Sequence, residues 1–185
     1  MAEHPILFSD EMVKAILEGR KTQTRRVLRK QPRDISPMNV PNMWMIHKES
    51  GAGQIIGCNY GRPGDRLWVR ETWAKAIPLG ASIHAERVYH YRADGDVLPK
   101  WKPSIFMPRW ASRITLEIVR VRVQRLQEIS GDECTLEGVE VAWSDPNNNE
   151  QERAAFQNLW DRINAARGCG WNVNPWVWVI EFKKL

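Results

Sequence analysis

The sequence predicts an α+β protein, in which short strands rich in β-branched and aromatic residues are interspersed with three helices. Residues 114–123 form the most informative strand: Ile114, Leu116 and Ile118 share one face, whereas the valines that follow fall on the other. A β-bulge near Ile118 would bring both sets to the same side, and such bulges are typical of the corners of small β-barrels.

The N-terminal part predicts a strand and a short helix. Residues 5–8 form the strand, and the helix spans residues 10–18, with Ser9 as its N-cap and Gly19 as its stop. Its apolar residues recur on one stripe, and the acidic residues of its first turn suit the helix dipole. Residues 30–61 contain many Pro and Gly residues, which predict an irregular insertion.

The central part predicts a strand and a second insertion. In the strand over residues 66–71, apolar residues alternate with Arg and Trp, so one face is apolar and the other is basic and aromatic. Residues 74–108 form the second irregular insertion, which contains a strand over residues 88–92.

The C-terminal part predicts two helices and a closing strand. Ser130 and Glu133 match a capping box, which predicts a helix over residues 131–140. The apolar residues of 150–166 recur at helical spacing, and this is the clearest helix of the chain. Residues 176–182 are nearly all apolar, so we expect them to form a central strand.

Length and composition predict a single domain over residues 1–185, because no low-complexity linker divides the chain. The net charge of +5 and the isoelectric point near 9.3 favour an anionic partner such as RNA, single-stranded nucleic acid or a nucleotide. The N-terminus lacks the pattern of a signal peptide, and no apolar run reaches the length of a membrane span. We therefore expect a cytoplasmic protein without a membrane partner.

Cysteines and histidines point to neither a disulfide framework nor a metal site. The three cysteines are odd in number and widely spaced. The four histidines show no metal-ligand spacing, and clustered carboxylates do not accompany them. We expect no metal and no cofactor.

The segment Gly-Arg-Lys-Thr-Gln-Thr-Arg-Arg, residues 19–26, contains the groups of a hydrolytic site in one short peptide. The hydroxyl of Thr24 is a poor nucleophile unless a neighbouring base takes its proton. Lys21 can be that base only if desolvation or nearby positive charge lowers its pKa, and the adjacent arginines supply such charge. Residues three apart in a regular strand point to opposite faces, so the backbone must bend between Lys21 and Thr24. The alternative is that both residues only complete the turn and the next strand.

This segment resembles the opening of an ASCH domain, a family of PUA-like β-barrels. The resemblance rests on residues 6–9, on the helix end Leu-Glu-Gly-Arg-Lys-Thr, and on the pattern Lys-Thr-x-Thr-x-Arg over residues 21–26. Residues 64–71, 129–139 and 177–182 resemble the family's Gly-Asp-x-Leu strand, short helix and closing strand. The motifs Arg-Glu-Thr-Trp and Pro-Arg-Trp-Ala-Ser-Arg resemble the long form carried by bacteriophages and prophages. The resemblance implies a small, mostly antiparallel barrel whose first two helices flank a basic, aromatic cleft.

Small members of this family are similar to metal-independent amidohydrolases that remove the acetyl group from 4-acetylcytidine. The resemblance places their catalytic lysine, threonine and glutamate on Lys21, Thr24 and Glu137. In those roles Thr24 attacks the amide carbonyl, Lys21 takes its proton, and Glu137 acts as acid or base toward the leaving amine. Backbone amides or Arg26 would stabilise the oxyanion. The alternative is that Glu137 is a solvated helix residue.

A second candidate surface consists of arginines interleaved with tryptophans, a composition that suits phosphate contacts and base stacking. Its members are Arg66, Trp68, Arg70, Trp73, Arg109, Trp110 and Arg113. The alternative is that these side chains pack at the rim of a barrel. Glu71 is a second carboxylate near the expected cleft and a candidate binding residue. The alternative, which we favour, is that it forms a salt bridge with Arg26 or Arg70.

Three functions are open at this point. The first is a metal-independent amidohydrolase acting on an acylated pyrimidine nucleoside such as 4-acetylcytidine. The second is a non-catalytic module that binds RNA or a modified base. The third is a ribonuclease, which ranks last because the sequence offers no obvious histidine pair or metal cluster for that chemistry. The two insertions would either deepen the cleft or close it.

Overall fold

The computed structural model describes residues 1–47, 53–76, 88–141 and 150–185. Ten strands and three α-helices in these residues confirm the predicted α+β class. The strands are β1 (Glu3–Leu7), β2 (Gln23–Val27), β3 (Asp34–Pro37), β4 (Trp44–His47), β5 (Gly53–Ile56), β6 (Arg66–Arg70), β7 (Trp73–Ala76), β8 (Val88–Tyr91), β9 (Thr115–Arg125) and β10 (Trp176–Lys184). The helices are α1 (Asp10–Leu17), α2 (Gly131–Leu136) and α3 (Glu150–Asn164).

The main sheet has five strands in the order β1-β6-β9-β10-β2. β1 pairs with β6 in parallel, whereas the other three pairings are antiparallel. The apolar closing strand β10 lies between β9 and β2, so the prediction of a central strand is confirmed. Within the described residues the edge strands β1 and β2 do not pair with each other, so this sheet is open.

The predicted bulge lies in β9 next to Ile118. Arg120 pairs with Glu181 and Ile118 pairs with Phe182, so Val119 is the extra residue. Val119 is 52% exposed, whereas Ile118 and Val121 on either side are buried. The extra residue therefore shifts the side-chain alternation, so that Val121 faces the core on the same side as Ile118.

The first two helices have the predicted caps. The Ser9 hydroxyl accepts a hydrogen bond from the backbone N–H of Met12, and α2 begins with the capping box of Ser130 and Glu133. α2 ends at Leu136 rather than at residue 140, because Gly138 has a φ of +84° and turns the chain out of the helix. None of the helices in the described residues is long and apolar enough to span a membrane.

The insertion over residues 30–61 contains a three-stranded antiparallel sheet of β3, β4 and β5. The prediction of irregular backbone was wrong because the strands are short and their Pro and Gly residues stand at the ends, Pro37 closing β3 and Gly53 opening β5. Trp44 of β4 packs edge-on against Trp178 of β10, with ring centroids 4.9 Å apart. The small sheet thus packs against the main sheet through this aromatic contact.

The insertion over residues 74–108 contains β8 and most of β7, which form an antiparallel pair. The strand predicted over residues 88–92 is confirmed as β8. Residues 77–87 of this insertion lie outside the described residues. Two 3₁₀ turns follow β8 within it, at Arg92–Asp94 and Ser104–Phe106.

Candidate functional site

The chain bends just before β2, so Lys21 and Thr24 are not on one regular strand. The backbone N–H of Lys21 donates to the carbonyl of Ala15 (3.0 Å), and that of Thr22 donates to Leu136 (3.0 Å). These bonds attach the segment to the ends of α1 and α2. Lys21 lies outside β2, so strand alternation does not separate its side chain from the site.

Lys21 is buried and forms an ion pair with Glu137, which lies 116 positions away in the sequence. The Lys21 Nζ donates to Glu137 Oε2 (2.9 Å), to the Glu137 carbonyl (2.6 Å) and to the Gln23 carbonyl (2.8 Å). Three donated hydrogen bonds use all three hydrogens of an ammonium group. Glu137 is itself only 4% exposed, so the alternative of a solvated helix residue is wrong.

Arg25 continues this network into a cluster of charged side chains around Glu137. Its Nη1 donates to Glu137 Oε1 (3.0 Å) and its Nη2 donates to Glu133 Oε2 (2.8 Å). Arg122 pairs with Glu133 and with Glu181. The Glu137 cluster is therefore Lys21, Arg25, Arg122, Glu133, Glu137 and Glu181.

Burial dominates the electrostatics of the cluster. Desolvation lowers the pKa of Lys21, while the carboxylate of Glu137 opposes that shift and the guanidinium groups of Arg26 and Arg25 add to it. Desolvation also lowers the pKa of Arg25, again against the effect of Glu137. A buried cation of this kind is retained only where carboxylates pair with it, as Glu137 does here.

A cavity of about 190 Å³ opens beside this cluster. The structure brings Thr24 and Glu137 to one cavity, and the other polar residues that line it are Arg25, Arg26, Asn164 and Arg167. Lys21 does not line it, because its side chain is enclosed behind Glu137. The Thr24 hydroxyl forms no hydrogen bond with any described residue.

The third helix provides the apolar wall of this cavity. The predicted stripe of α3 faces it, with Phe156 and Trp160 buried and Ile163 at the more exposed end. Tyr60 completes the aromatic lining, whereas α1 contributes only Met12. The resemblance had placed the cleft between the first two helices, and the contribution of α3 had no signal in the motifs.

Arg26, a predicted binding residue, also lines this cavity. No carboxylate of the described residues forms an ion pair with it. Its Nη2 donates to the carbonyl of Leu7 (2.7 Å), and its guanidinium carbon lies 5.0 Å from the centre of the Phe8 ring. Its buried Nε has no hydrogen-bond partner in the part of the chain that the structure describes. Arg26 therefore faces the cavity without a carboxylate from the described residues.

The arginines and tryptophans of the second surface do not line the Thr24 cavity. On β6, Leu67 and Val69 are buried, and the three predicted residues on the opposite face are half-buried: Arg66, Trp68 and Arg70. The guanidinium carbon of Arg70 lies 5.4 Å from the Trp68 ring centre. This part of the surface keeps the predicted alternation of basic and aromatic groups.

Several of the remaining residues of the second surface already have partners within the protein. Arg109 donates to Glu3 (2.9 Å). Trp73 is buried and packs edge-on against Trp110, with ring centroids 5.8 Å apart, whereas Trp110 is 65% exposed. Trp110 is therefore the aromatic side chain of this set that is most open to a ligand.

Glu71 pairs with Arg113, so the predicted salt bridge to Arg26 or Arg70 is wrong. Both carboxylate oxygens of Glu71 accept hydrogen bonds from Arg113, each at 3.0 Å. The direct sequence neighbour Arg70 belongs to the opposite face of the chain, because successive residues of an extended segment alternate. Arg26 lines the cavity that contains Thr24, which no residue of the Glu71 pair lines.

Arg113 joins Glu71 to two further side chains, and we call Glu71, Tyr91, Asp94 and Arg113 the Glu71 cluster. Arg113 donates to both carboxylate oxygens of Asp94 at 2.8 Å and stacks 4.0 Å from the Tyr91 ring centre. Burial lowers the pKa of Arg113, but the hydrogen bonds from its guanidinium to the two carboxylates outweigh burial and raise it overall. This predicted nucleic-acid contact is thus a structural ion pair.

Among the described residues, no group of three or more His, Cys, Asp or Glu side chains is arranged to hold a metal ion. Cys134 is buried and Cys58 is half-buried against the core, and burial raises the pKa of Cys58 to about 11 and that of Cys134 to about 12. These thiols are therefore protonated at neutral pH and are unsuited to act as nucleophiles.

The comparisons with known proteins concern the fold. No protein-family model matches the sequence, and no curated protein matches it either. The structure aligns with the crystal structure of an ASCH domain from Lactobacillus crispatus JV V101, with a TM-score of 0.45 and 12% sequence identity. The alignment covers 99% of this chain and 79% of the other.

Proposed function

We propose that the protein is a metal-independent amidohydrolase that removes the acyl group from an acylated pyrimidine nucleoside such as 4-acetylcytidine. The observation that carries the proposal is that Thr24 and Glu137 line one cavity, while Lys21 and Arg25 hold the carboxylate of Glu137. A free hydroxyl and a carboxylate in a fixed position at one cavity are the groups that nucleophilic acyl transfer requires.

The reaction needs one nucleophile and one group that carries a proton. The Thr24 Oγ forms a bond to the acyl carbon, and its proton passes to the Glu137 carboxylate. The C–N bond then breaks, and the exocyclic amine of the base leaves with the proton from Glu137. Water hydrolyses the acyl ester on Thr24 and restores the hydroxyl, with release of the free acid.

Arg25 holds Glu137 and does not contact the substrate. Its Nη1 donates to Glu137 Oε1 (3.0 Å), its Nη2 donates to Glu133 Oε2 (2.8 Å), and its side chain is fully buried. Backbone N–H groups at the cavity wall would stabilise the negative charge that develops on the acyl oxygen more than the neutral carbonyl of the substrate.

Lys21 has a different role in this proposal from the general base that the sequence resemblance implied. Its three donated hydrogen bonds are those of an ammonium, which has no lone pair to accept the Thr24 proton. We assign Lys21 to positioning the carboxylate of Glu137. A reaction rate that is constant over about pH 7 to 9 supports Glu137 as the base, whereas a rate rising through that range returns the role to Lys21.

The test is to incubate the purified protein with 4-acetylcytidine without added metal and to follow cytidine by chromatography. Thr24→Ser keeps the hydroxyl and should retain turnover, whereas Thr24→Val keeps the branched shape and should lose about two or more orders of magnitude. Thr22→Val is the matched control, because Thr22 belongs to the same motif but does not line the cavity. Turnover by Thr24→Val at the wild-type rate would rule out Thr24 as the nucleophile.

A second candidate function is binding of RNA or a modified base without catalysis, on the surface of β6. It is favoured by the exposed ring of Trp110 and by the stacking of Arg70 on Trp68. In a titration with labelled single-stranded RNA, affinity should fall steeply with salt, and the double variant of Arg66→Gln and Arg70→Gln should bind more weakly. Equal affinity of this variant and wild type at every salt concentration would remove this candidate.

A further inference from the structure

The Thr24 cavity carries more positive charge than its own carboxylate balances. Three arginines line it, Arg25, Arg26 and Arg167, against the single carboxylate of Glu137. Arg25 is already paired with Glu137 and Glu133. The charges of Arg26 and Arg167 have no ion-pair partner among the described residues.

The two unbalanced arginines come from different elements. Arg26 lies on β2, whereas Arg167 ends the 3₁₀ turn that follows α3. Burial lowers the pKa of Arg26, electrostatic interaction with Glu137 opposes that shift, and the charge of Arg167 lowers the pKa further. Two guanidinium groups that repel each other at one cavity are stabilised by an anion bound between them.

We propose that Arg26 and Arg167 form a phosphate subsite, so that the substrate of the proposed hydrolase is a phosphorylated nucleoside rather than a free one. Guanidinium groups bind phosphate through paired N–H donors, and Arg26 and Arg167 both line the cavity without a carboxylate partner among the described residues. The cavity volume of about 190 Å³ is smaller than that of a usual ligand pocket. We therefore place only the base and its acyl group inside the cavity. The phosphate then lies at the mouth, where Arg167 is exposed.

This inference deepens the proposed function and rests on it only for turnover, so binding is measured separately. Calorimetric titrations compare cytidine 5′-monophosphate, cytidine and a short cytidine oligonucleotide on the full chain. We expect wild type to bind the monophosphate at least about tenfold more tightly than cytidine. Arg167→Gln should reduce that ratio to near one, and it should not disturb the fold, since Arg167 is exposed and forms no ion pair with a described residue.

The matched control is Arg33→Gln, which removes the same charge from an exposed residue that does not line the cavity and should keep the wild-type ratio. An equal ratio in wild type and Arg167→Gln, or no preference for the monophosphate, overturns the subsite. Oligonucleotide binding that is tighter than monophosphate binding and depends on Arg167 also supports the subsite, with a phosphodiester as the source of the phosphate.

The turnover assay separates failure of the subsite from failure of the proposed function. If 4-acetylcytidine and its 5′-monophosphate are hydrolysed equally well and bind equally, the subsite is wrong while the hydrolase stands. If neither is hydrolysed but the Arg167-dependent preference appears in binding, the hydrolase is wrong while the phosphate subsite stands.

Discussion

Glu137 and Glu71 are both buried carboxylates held by arginine, yet their surroundings differ. Glu71 is 0% exposed and both of its oxygens are bound by Arg113, which is shared with Asp94. Glu137 is 4% exposed, divides its oxygens between Lys21 and Arg25, and lines the cavity that contains Thr24. No member of the Glu71 cluster lines that cavity.

The difference teaches that burial and ion pairing alone do not mark a functional carboxylate, because structural ion pairs have both properties. What distinguishes Glu137 is space for a ligand, a neighbouring hydroxyl and cations that its own cluster leaves unbalanced. Each of these features can be tested by changing the two clusters in parallel.

The largest expected difference is in turnover. Glu137→Gln should reduce hydrolysis of 4-acetylcytidine by about two to four orders of magnitude, because an amide cannot carry the proton between Thr24 and the amine. Glu71→Gln should leave turnover within a few-fold of wild type, since Glu71 does not reach the cavity. Initial rates from chromatography, with circular dichroism to check folding, measure both. Similar losses of turnover in the two variants would show that Glu137 has no role in hydrolysis that Glu71 lacks.

Stability should show the opposite order. Arg113→Met removes the one ion-pair partner of Glu71 in the described residues and should cost about 3–5 kcal/mol in the free energy of unfolding. Lys21→Met should cost less, about 1–3 kcal/mol, because Arg25 still binds Glu137 Oε1, although Glu137 Oε2 and two carbonyls lose their donor. Urea unfolding at neutral pH measures both, and a greater loss in Lys21→Met would show that Arg25 does not compensate.

The two clusters should also respond differently to alkaline pH. Burial lowers the pKa of Lys21 in the folded protein below the ordinary 10.5 of the unfolded chain. At a pH between the folded and the unfolded pKa, the unfolded chain binds more protons than the folded protein, so the free energy of unfolding rises with pH. The stability of wild type relative to Lys21→Met should therefore increase within that window, by at most about 1.4 kcal/mol per pH unit.

Urea unfolding at several pH values from 7 upward measures this trend. Arg113→Met is the control, since the raised pKa of Arg113 keeps it protonated in both states and its difference from wild type should not rise in the same way. A wild-type advantage over Lys21→Met that falls as pH rises would contradict the lowered pKa of Lys21.

The smallest expected effect concerns the glycine that follows an acidic residue in each cluster. Gly138 and Gly95 both have positive φ, +84° and +89°. A Cβ at Gly138 would lie 2.9 Å from Ala15 Cβ, whereas a Cβ at Gly95 would meet nothing within 4 Å. Gly138→Ala should therefore be about 1 kcal/mol more destabilising than Gly95→Ala in urea unfolding. Equal costs would mean that α1 moves to accommodate the added methyl.

Local signals in the sequence predicted much of the fold. The capping box of Ser130 and Glu133, the apolar run of β10 and the two-phase pattern around Ile118 each depend on residues close together in the chain, and all three are confirmed. The short strands of the first insertion were not predicted, because strands of four residues bounded by Pro and Gly are too short to show a periodic pattern. The end of α2 was placed too late because Gly138 was not recognised as a stop.

The site itself depended on contacts that sequence patterns do not encode. The association of Lys21 with Glu137 came from family motifs, whereas Arg25 was missed because its partners lie 108 and 112 positions away. Glu71 was assigned to a neighbouring arginine, although Arg113, 42 positions away, binds it. The catalytic roles of Lys21, Thr24 and Glu137 stay predictions until the variants are assayed.

The position of β2 at the edge of the main sheet has a consequence for protein synthesis. Its only strand partner in the described residues is β10, which is translated some 150 residues later. The ion pairs of Lys21 and Arg25 likewise cannot form until Glu137 has been translated. A ribosome-bound chain that has not yet released β10 therefore has neither a complete sheet edge nor a formed cavity. Completion of the sheet therefore follows the release of β10 from the ribosome, and until then the β2 segment lacks this strand partner.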